Sequence, residues 1–330
     1  PLLVAPLKSS AVFLADLSRA LPIHHALDVI ELAGYGELRS GGVRMLKAFW
    51  ECLVILRRRG ADAVLGMGGY VCFPGGLMAS LLGKPLMLVN ADASMLLSNR
   101  ALLPVADRVA FGFDGAAAAK TKHAVVTGNP VRAEIEALPE PAGRFAPRSG
   151  PLNLLVVGGS LGARVLNETL PQAIARIDPS RRPHVVHQTG ATNRDAVREA
   201  YASAGVHEGV DVVAFIDDMA ARLAACDVMI CRAGAVTVSE LCAAGVPAIL
   251  VPLIVSTTSH QRDNAQFMAQ HGAAIHLPQT EMSPDKLAEL LQGLDRRQLL
   301  AMAEKAKALG RPRAAARVAD EIESLVKPRA

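Results

Sequence analysis

Several things are scarce in this chain of 330 residues, and each scarcity excludes something. Aromatic side chains make up only 4% of it, with a single Trp. Small side chains must then fill the cores, which favours helices lying close on a sheet. Charge of one sign is also missing: the net charge of +4 is too mild to argue for a nucleic-acid partner, although the pI is near 8.9. The five cysteines (Cys52, Cys72, Cys226, Cys231, Cys242) follow no metal spacing, and most lie in or beside apolar runs. They read as buried, reduced thiols rather than a disulfide framework. No apolar run reaches the ~18–20 residues that span a bilayer; AFWECLVIL is short and broken by Glu51. The opening PLLVAPLKSSAVFL has no basic segment and no cleavage signal, so no signal peptide is expected. HExxH, CxxC, GxSxG and P-loop patterns are absent, and no cofactor or metal is expected.

What is abundant is Ala, Val, Leu and Gly, a balance that suits helices packed closely on sheets. Apolar, β-prone runs at 62–66, 85–90, 107–111 and 123–127 alternate with helical patterns. The same alternation returns at 152–157, 184–188, 211–215, 227–231, 247–252 and 273–277. Alternation of this kind predicts βαβ units and parallel sheets. The proline-rich stretch LPEPAGRFAPRSGP (138–151) predicts a linker, and GRPR (310–313) a second break before a last helix. The expected fold class is α/β, with two doubly wound domains and a cleft between them. Their bounds are 1–140, a linker at 141–150, a second domain at 151–310, and a final helix at 311–330.

Six segments carry possible chemistry. VVGGSLGARVLNETLP ends a strand and opens a helix; Gly158, Gly159 and Gly162 permit a tight turn, Ser160 lies within it, and Arg164 adds a charge in the first helical turn. A helix N-terminus with free N–H groups suits an anion such as phosphate. The spacing is not GxGxxG, which disfavours a dinucleotide. CRAGAVTVSELCAAGVPAILVP (231–252) repeats the strand, loop and helix, with Glu240 able to accept bonds from a ribose diol. In SHQRDNAQFM (259–268), Gln261 and Asn264 share a helix face and suit sugar hydroxyls. GMGGYVCFPGG (66–76) is a similar turn in the first half, and TGNPVR (127–132) places Asn129 at a strand end. RSGGVRMLKAFWECLVILRRR (39–59) sets Phe49, Trp50 and Leu53 among cations that include Arg57 and Arg58, a pattern fit for an anionic membrane surface or for a core helix with basic ends. In FIDDM, Asp217 and Asp218 are adjacent rather than spaced as DxD, and one of them is expected to cap a helix.

Taken in order, GMGGY, PGG, GNPVR, VVGGSLGARVLNETLP, HQTG, FIDDM, CRAGAVTVSELCAAGVPAILVP and HQRDNA resemble the MurG family of bacterial UDP-N-acetylglucosamine-dependent transferases, from about residue 21 to the end. The resemblance implies a GT-B fold of two Rossmann-like domains. It implies transfer of N-acetylglucosamine (GlcNAc) from UDP-GlcNAc to the C4 hydroxyl of lipid I, with inversion, giving lipid II for peptidoglycan. It implies donor contacts from Arg164, Thr189, the backbone of Ile216, the segment Ala235, Val236, Thr237, Val238 and Ser239, then Glu240 and Gln261, with Asn129 reaching in from the first domain. It implies a peripheral position on the cytoplasmic face of the bacterial inner membrane through the helix around Trp50, and other cell-wall synthesis proteins as partners.

Two departures shape the expectations. The family opens with a strand, a GGTGGH-type loop supplying a proposed base, and a helix; residues 1–20 do not resemble it, and the chain begins with Pro. The first domain is therefore expected to lack its first strand, and the chain to be incomplete. The family's HEQN segment stands here as VNAD (89–92), leaving Asn90 where Glu is common and Asp92 as the candidate base. The alternatives are a UDP-GlcNAc-binding remnant without turnover, or another GT-B protein such as a UDP-GlcNAc 2-epimerase.

Overall fold

Every run read as a strand is one in the computed structural model. The structure describes residues 2–5, 27–29, 41–69, 72–159, 161–253 and 259–326. Strands β1 (Leu2–Ala5), β2 (Leu27–Val29), β3 (Ala63–Gly66), β4 (Leu86–Asn90), β5 (Arg108–Phe111) and β6 (Ala124–Val126) form one sheet. Strands β7 (Asn153–Val157), β8 (His184–Gln188), β9 (Val210–Val213), β10 (Val228–Cys231), β11 (Ala248–Leu250) and β12 (Ala274–His276) form the other. Their orders are β2-β1-β3-β4-β5-β6 and β12-β11-β10-β7-β8-β9, and the strands are parallel throughout. The chain divides into two units, Pro1–Pro130 with Arg311–Ala330, and Val131–Gly310.

The strands are near-continuous apolar runs because helices cover both faces of a parallel sheet. In the first unit, alternation sends Leu65, Met87 and Val89 to one face, where Val318, Ala319 and Ile322 of the helix Ala314–Leu325 cover them. Val64, Leu86 and Leu88 point to the other face, against Leu56, Ala79 and Leu102. Arg108 also pairs with Glu321 on that last helix. The second unit has one large core, in which Leu154, Val156, Val185 and Ile230 meet Leu166, Leu170 and Tyr201. All five cysteines are buried and none is in a disulfide; burial pushes the Cys52 thiol up to about 11 and that of Cys72 up to about 12.

Two expectations are corrected. The first sheet does have its opening strand: Leu2–Ala5 lies between β2 and β3 and pairs with both. Its backbone completes the parallel ladder on both sides, Leu2 lying opposite Leu27 and Ala63. Residues 6–26, where the family has its glycine loop and helix, contain no glycine and lie outside the described residues. The stretch 141–150 is not a free linker. Pro141 starts the short helix Pro141–Phe145, where a missing N–H costs nothing. Phe145 joins the core of the second unit, and the buried Arg144 guanidinium donates to the carbonyls of Leu223, Ala244 and Gly245. Its neighbour Arg148 joins Arg296 in pairing the fully buried Asp227.

Candidate functional site

In the second sheet the chain leaves β7 toward β8 and β9 on one side, then returns to place β10, β11 and β12 on the other. The order reverses between β7 and β10. A crevice opens at such a switch point, beyond the carboxyl ends of the strands. Its walls are the loop 158–163 after β7 and the loop 232–234 after β10.

Glycine fixes the first wall. Gly162 has φ +76°, and a Cβ there would stand 1.9 Å from the Thr189 carbonyl oxygen. A Cβ on Gly190 (φ +84°) would meet the backbone of Leu161 at 2.7 Å. The loops after β7 and β8 therefore touch backbone to backbone, which only Gly permits at these two positions. Gln188 completes the brace: its Nε2 donates to the carbonyls of Gly159 and Ala214, both at 3.0 Å. It thus joins the loop after β7 to the end of β9. Gly158 also donates to the Gln188 carbonyl at 3.2 Å. Ser160 lies outside the described residues.

Two helices open onto the crevice with no side chain capping their first N–H groups. One is Arg164–Ala175, with Ala163 at the cap; the other is Ala235–Ala244, with Gly234. Uncapped helix starts carry partial positive charge and unspent donors, which is what an anion needs. Arg164 is 89% exposed and lies along its own helix to Glu168, with Nε 2.6 Å from the carboxylate. In the segment 235–239, Val238 is buried in the core and Ser239 spends its hydroxyl on the Ala235 carbonyl at 2.8 Å. Val236 is exposed and Ala235 and Thr237 are half-buried. This segment offers its backbone, not its side chains, except at Thr237.

Glu240 lies one turn further. Its side chain is 17% exposed, and Arg132 donates to its Oε1 from Nε (3.2 Å) and Nη2 (3.0 Å). Burial raises the Glu240 carboxyl above its ordinary value, while Arg132 opposes the rise and Glu134 adds to it. Oε2 makes no hydrogen bond among the described residues, so one acceptor oxygen remains for a ligand. Gln261 starts the helix His260–Gln270 and accepts from the Leu253 N–H at 2.8 Å, keeping its amide NH2 as a donor. Ile216 follows β9 with its side chain buried; Asp218, two residues on, caps the helix Met219–Ala225 by accepting from the Ala221 N–H at 2.9 Å.

Three residues expected to touch a ligand are used internally. Thr189 is 0% exposed, and its hydroxyl donates to the carbonyls of Gly190 and Val213. Asn264 is equally buried and donates to the Ala233 carbonyl at 3.0 Å, tying its helix to the loop after β10. In the first unit Asn129 is buried and donates to the Ala91 carbonyl at 2.8 Å. A Cβ on Gly112 would run into that amide at 2.3 Å, so this glycine makes room for it. Each has its polar atoms drawn inward because a loop backbone, not solvent, lies next to it.

The same unit holds Asp92 on an ordered turn. Asn90 is fully buried; Nδ2 donates to the carbonyls of Asp92 (2.8 Å) and Ser94 (3.0 Å), and Oδ1 accepts from Leu96 N–H (3.0 Å) and Asn99 Nδ2 (3.3 Å). An amide with both donors and acceptors fits this knot; a carboxylate does not. On the long helix Gly41–Arg59, Leu46 (70%) and Trp50 (65%) are exposed with Arg57 and Arg58, while Phe49 packs edge-on against Phe73 and Leu53 is half-buried. Among the described residues, no helix is long and apolar enough to cross a membrane, and no three His, Cys, Asp or Glu side chains gather as a metal site.

Reasoning from sequence missed Arg132 and Gln188. Both stood inside quoted motifs, GNPVR and HQTG, but their partners are distant in the chain or are backbone carbonyls that no pattern displays.

Comparison with known proteins accords with this geometry. Residues 153–320 match the glycosyltransferase family 28 C-terminal domain. The chain is 75% identical over 298 residues to the UDP-N-acetylglucosamine--N-acetylmuramyl-(pentapeptide) pyrophosphoryl-undecaprenol N-acetylglucosamine transferase of Methylibium petroleiphilum, covering 90% of this chain and 81% of that one. Identity to the protein of the same name from Chromobacterium violaceum is 62% over 294 residues, covering 88% and 81%. The crystal structure of Acinetobacter baumannii MurG superposes with a TM-score of 0.82 at 32% identity, covering 98% of this chain and 99% of that one.

Proposed function

The chain belongs to the MurG family of GT-B glycosyltransferases, and on that premise we infer that it transfers GlcNAc from UDP-GlcNAc to the C4 hydroxyl of lipid I, giving lipid II with inversion at the anomeric carbon. The observation that carries the assignment of the donor is the switch-point crevice of the second unit. There, two uncapped helix starts and a half-buried carboxylate with one open oxygen stand together. We assign the N–H groups of 235–237 and Arg164 to the diphosphate, Glu240 to the ribose, the backbone at Ile216 to the uracil edge, and Gln261 to the sugar.

Inversion needs in-line attack on the anomeric carbon, a base for the acceptor proton, and stabilisation of departing UDP. Fixed N–H dipoles serve the last purpose without reorganising as charge develops. A positioned base contributes ~10²–10⁴-fold, and Asp92 is our candidate. No resident metal is invoked. The epimerase alternative loses its support, because the 75% identity is to a transferase.

The test supplies UDP-GlcNAc and a short-chain lipid I analogue. Lipid II is the expected product. UDP binding with no product at high enzyme concentration would instead favour a donor-binding remnant. Unchanged UDP affinity in Glu240→Ala would remove the site assignment.

We further propose a peripheral position on the cytoplasmic face of the inner membrane, supported by the exposed Leu46 and Trp50 beside Arg57 and Arg58. Trp50→Ser is expected to reduce sedimentation with phosphatidylglycerol vesicles while leaving the melting temperature in place. Equal sedimentation of both proteins would refute that docking face.

A further inference from the structure

We propose that the amino end of the second sheet holds a separate small-molecule site, an apolar cavity with a guanidinium at its mouth, which takes a medium-chain aliphatic carboxylate. It stands apart from the donor crevice. The five residues of β7, about 16 Å of strand, separate the two.

The cavity measures about 440 Å³, inside the range of about 300–1,000 Å³ usual for ligand pockets. Three loops enclose it: the approach to β7 (150–152), the turn Pro179–Arg181 that leads toward β8, and the joint between the helices Pro284–Gly293 and Arg296–Leu309. Leu154, Ile177, Val228 and Leu291 line its depth and belong to the large core of this unit; Leu152 and Leu294 are half-buried and pack against that core. The core thus runs out to solvent here without a side chain to close it. Apolar cavities hold water poorly and accept apolar molecules instead. At about 30 Å³ for each water-sized group there is room for about ten to fifteen non-hydrogen atoms.

Two arginines stand at the rim, and they differ. Arg296 is spent: it donates to the carbonyls of Gly150 (2.7 Å) and Pro151 (2.6 Å) and pairs with the buried Asp227. That fixes one wall. Arg181 is exposed, and its one hydrogen bond among the described residues runs from Nη2 to the Gln292 carbonyl at 3.1 Å. This bond holds it to the facing loop and leaves the N–H groups of Nε and Nη1 for a ligand. A guanidinium is suited to a carboxylate. The carboxylates of the same loops, Asp178 and Asp295, turn to the backbone N–H groups of Ser180 and Gln298, both at 2.8 Å. A nucleotide or free phosphate fits less well. The helix starts here are capped, one by Ser283 and one by Asp295, so they offer no bare N–H groups of the kind found at the crevice. None of the described lining residues is aromatic, so no ring is there to stack a base.

The experiment titrates sodium decanoate, below its micellar concentration, against the full chain by ligand-observed NMR at pH 7. Saturable binding is expected with Kd of about 1 mM or tighter. Butanoate, which fills little of the cavity, and decylammonium, which meets Arg181 with the wrong charge, should each bind at least about tenfold more weakly. Arg181→Ala should weaken decanoate about tenfold, and Leu294→Trp, which fills the cavity, should abolish its binding. UDP affinity and the melting temperature should stay in place in both variants, and Trp50→Ser should bind decanoate as the wild type does. Decanoate binding retained in Leu294→Trp, lost in Trp50→Ser, or matched by decylammonium or butanoate would overturn the proposal, as would the absence of saturable binding. If Leu294→Trp does not fold, Arg181→Glu decides: a preference inverted toward decylammonium supports the site, and an unchanged preference refutes it.

Discussion

The two units each carry a six-stranded parallel sheet, in different strand orders, and they hold their carboxyl edges by opposite means. In the second, loops lie on each other through glycine: Gly162 against Thr189 and Gly190 against Leu161. In the first, side-chain amides do the holding: Asn90 and Asn99 knot the turn 91–96, and Asn129 ties its start. The difference follows from what each edge presents. An anion is bound by bare N–H groups, so the backbone must come forward and side chains must withdraw. A single carboxylate such as Asp92, our proposed base, needs a loop fixed in one conformation, and the buried Asn90 amide, with its NH2 and its oxygen both engaged, supplies that.

The largest effect that would break this contrast comes from Gly162→Ala. The added methyl meets a carbonyl oxygen at 1.9 Å, at a φ that Ala resists. A loss of about 3 kcal/mol or more in unfolding free energy is expected, with UDP affinity lowered at least about tenfold. Gly159→Ala is the control: φ is also positive, at +86°, but nothing lies within 4 Å of the added methyl. Its cost should be about 1–2 kcal/mol from backbone strain alone. Urea denaturation and calorimetry measure both. Equal effects would mean that packing between the loops after β7 and β8 does not set the donor site.

A smaller effect sharpens the other side. Asn90→Ala leaves the carbonyls of Asp92 and Ser94 and the Leu96 N–H without their partner, at a cost of about 2–4 kcal/mol to the first unit. UDP affinity should stay at the wild-type value, because the groups we assign to the donor belong to the second unit, while kcat for lipid I falls. Loss of UDP binding in this variant would show that the two edges are not independent.

How far this was legible in the sequence differs between the same two edges. Strands and glycine loops were readable, since apolar alternation and glycine spacing are local properties. The amide knot was not: Asn90 read as a departure from HEQN, and only the folded loop shows that four polar atoms answer its amide. Burial of Thr189, Asn129 and Asn264 was hidden for a related reason. A polar residue at a strand end or helix start faces a ligand or a neighbouring loop according to what folds over it. Arg132 and Glu240 meet across 108 residues, and nothing local to either announces the other. The proline-rich stretch 138–151 misled because proline ends helices from within but also begins them.

The smallest effect tests the most exposed group in the donor site. Arg164 forms a surface pair with Glu168 on the same helix, and such pairs hold a side chain only loosely. Arg164→Ala should therefore leave the melting temperature where it is. Its helix nonetheless starts at the same switch point as the helix whose first N–H groups we assign to the diphosphate, and a flexible arginine can leave a screened carboxylate for a doubly charged ligand. KM for UDP-GlcNAc is expected to rise about threefold to tenfold, and kcat to fall with it, because the charge on departing UDP is greatest in the transition state. Gly162→Ala should alter stability and binding together, whereas Arg164→Ala should alter KM and kcat and leave stability unchanged. Turnover at the wild-type level would make Arg164 a surface residue, and would leave the N–H groups of 235–237 as the whole of the anion site we propose.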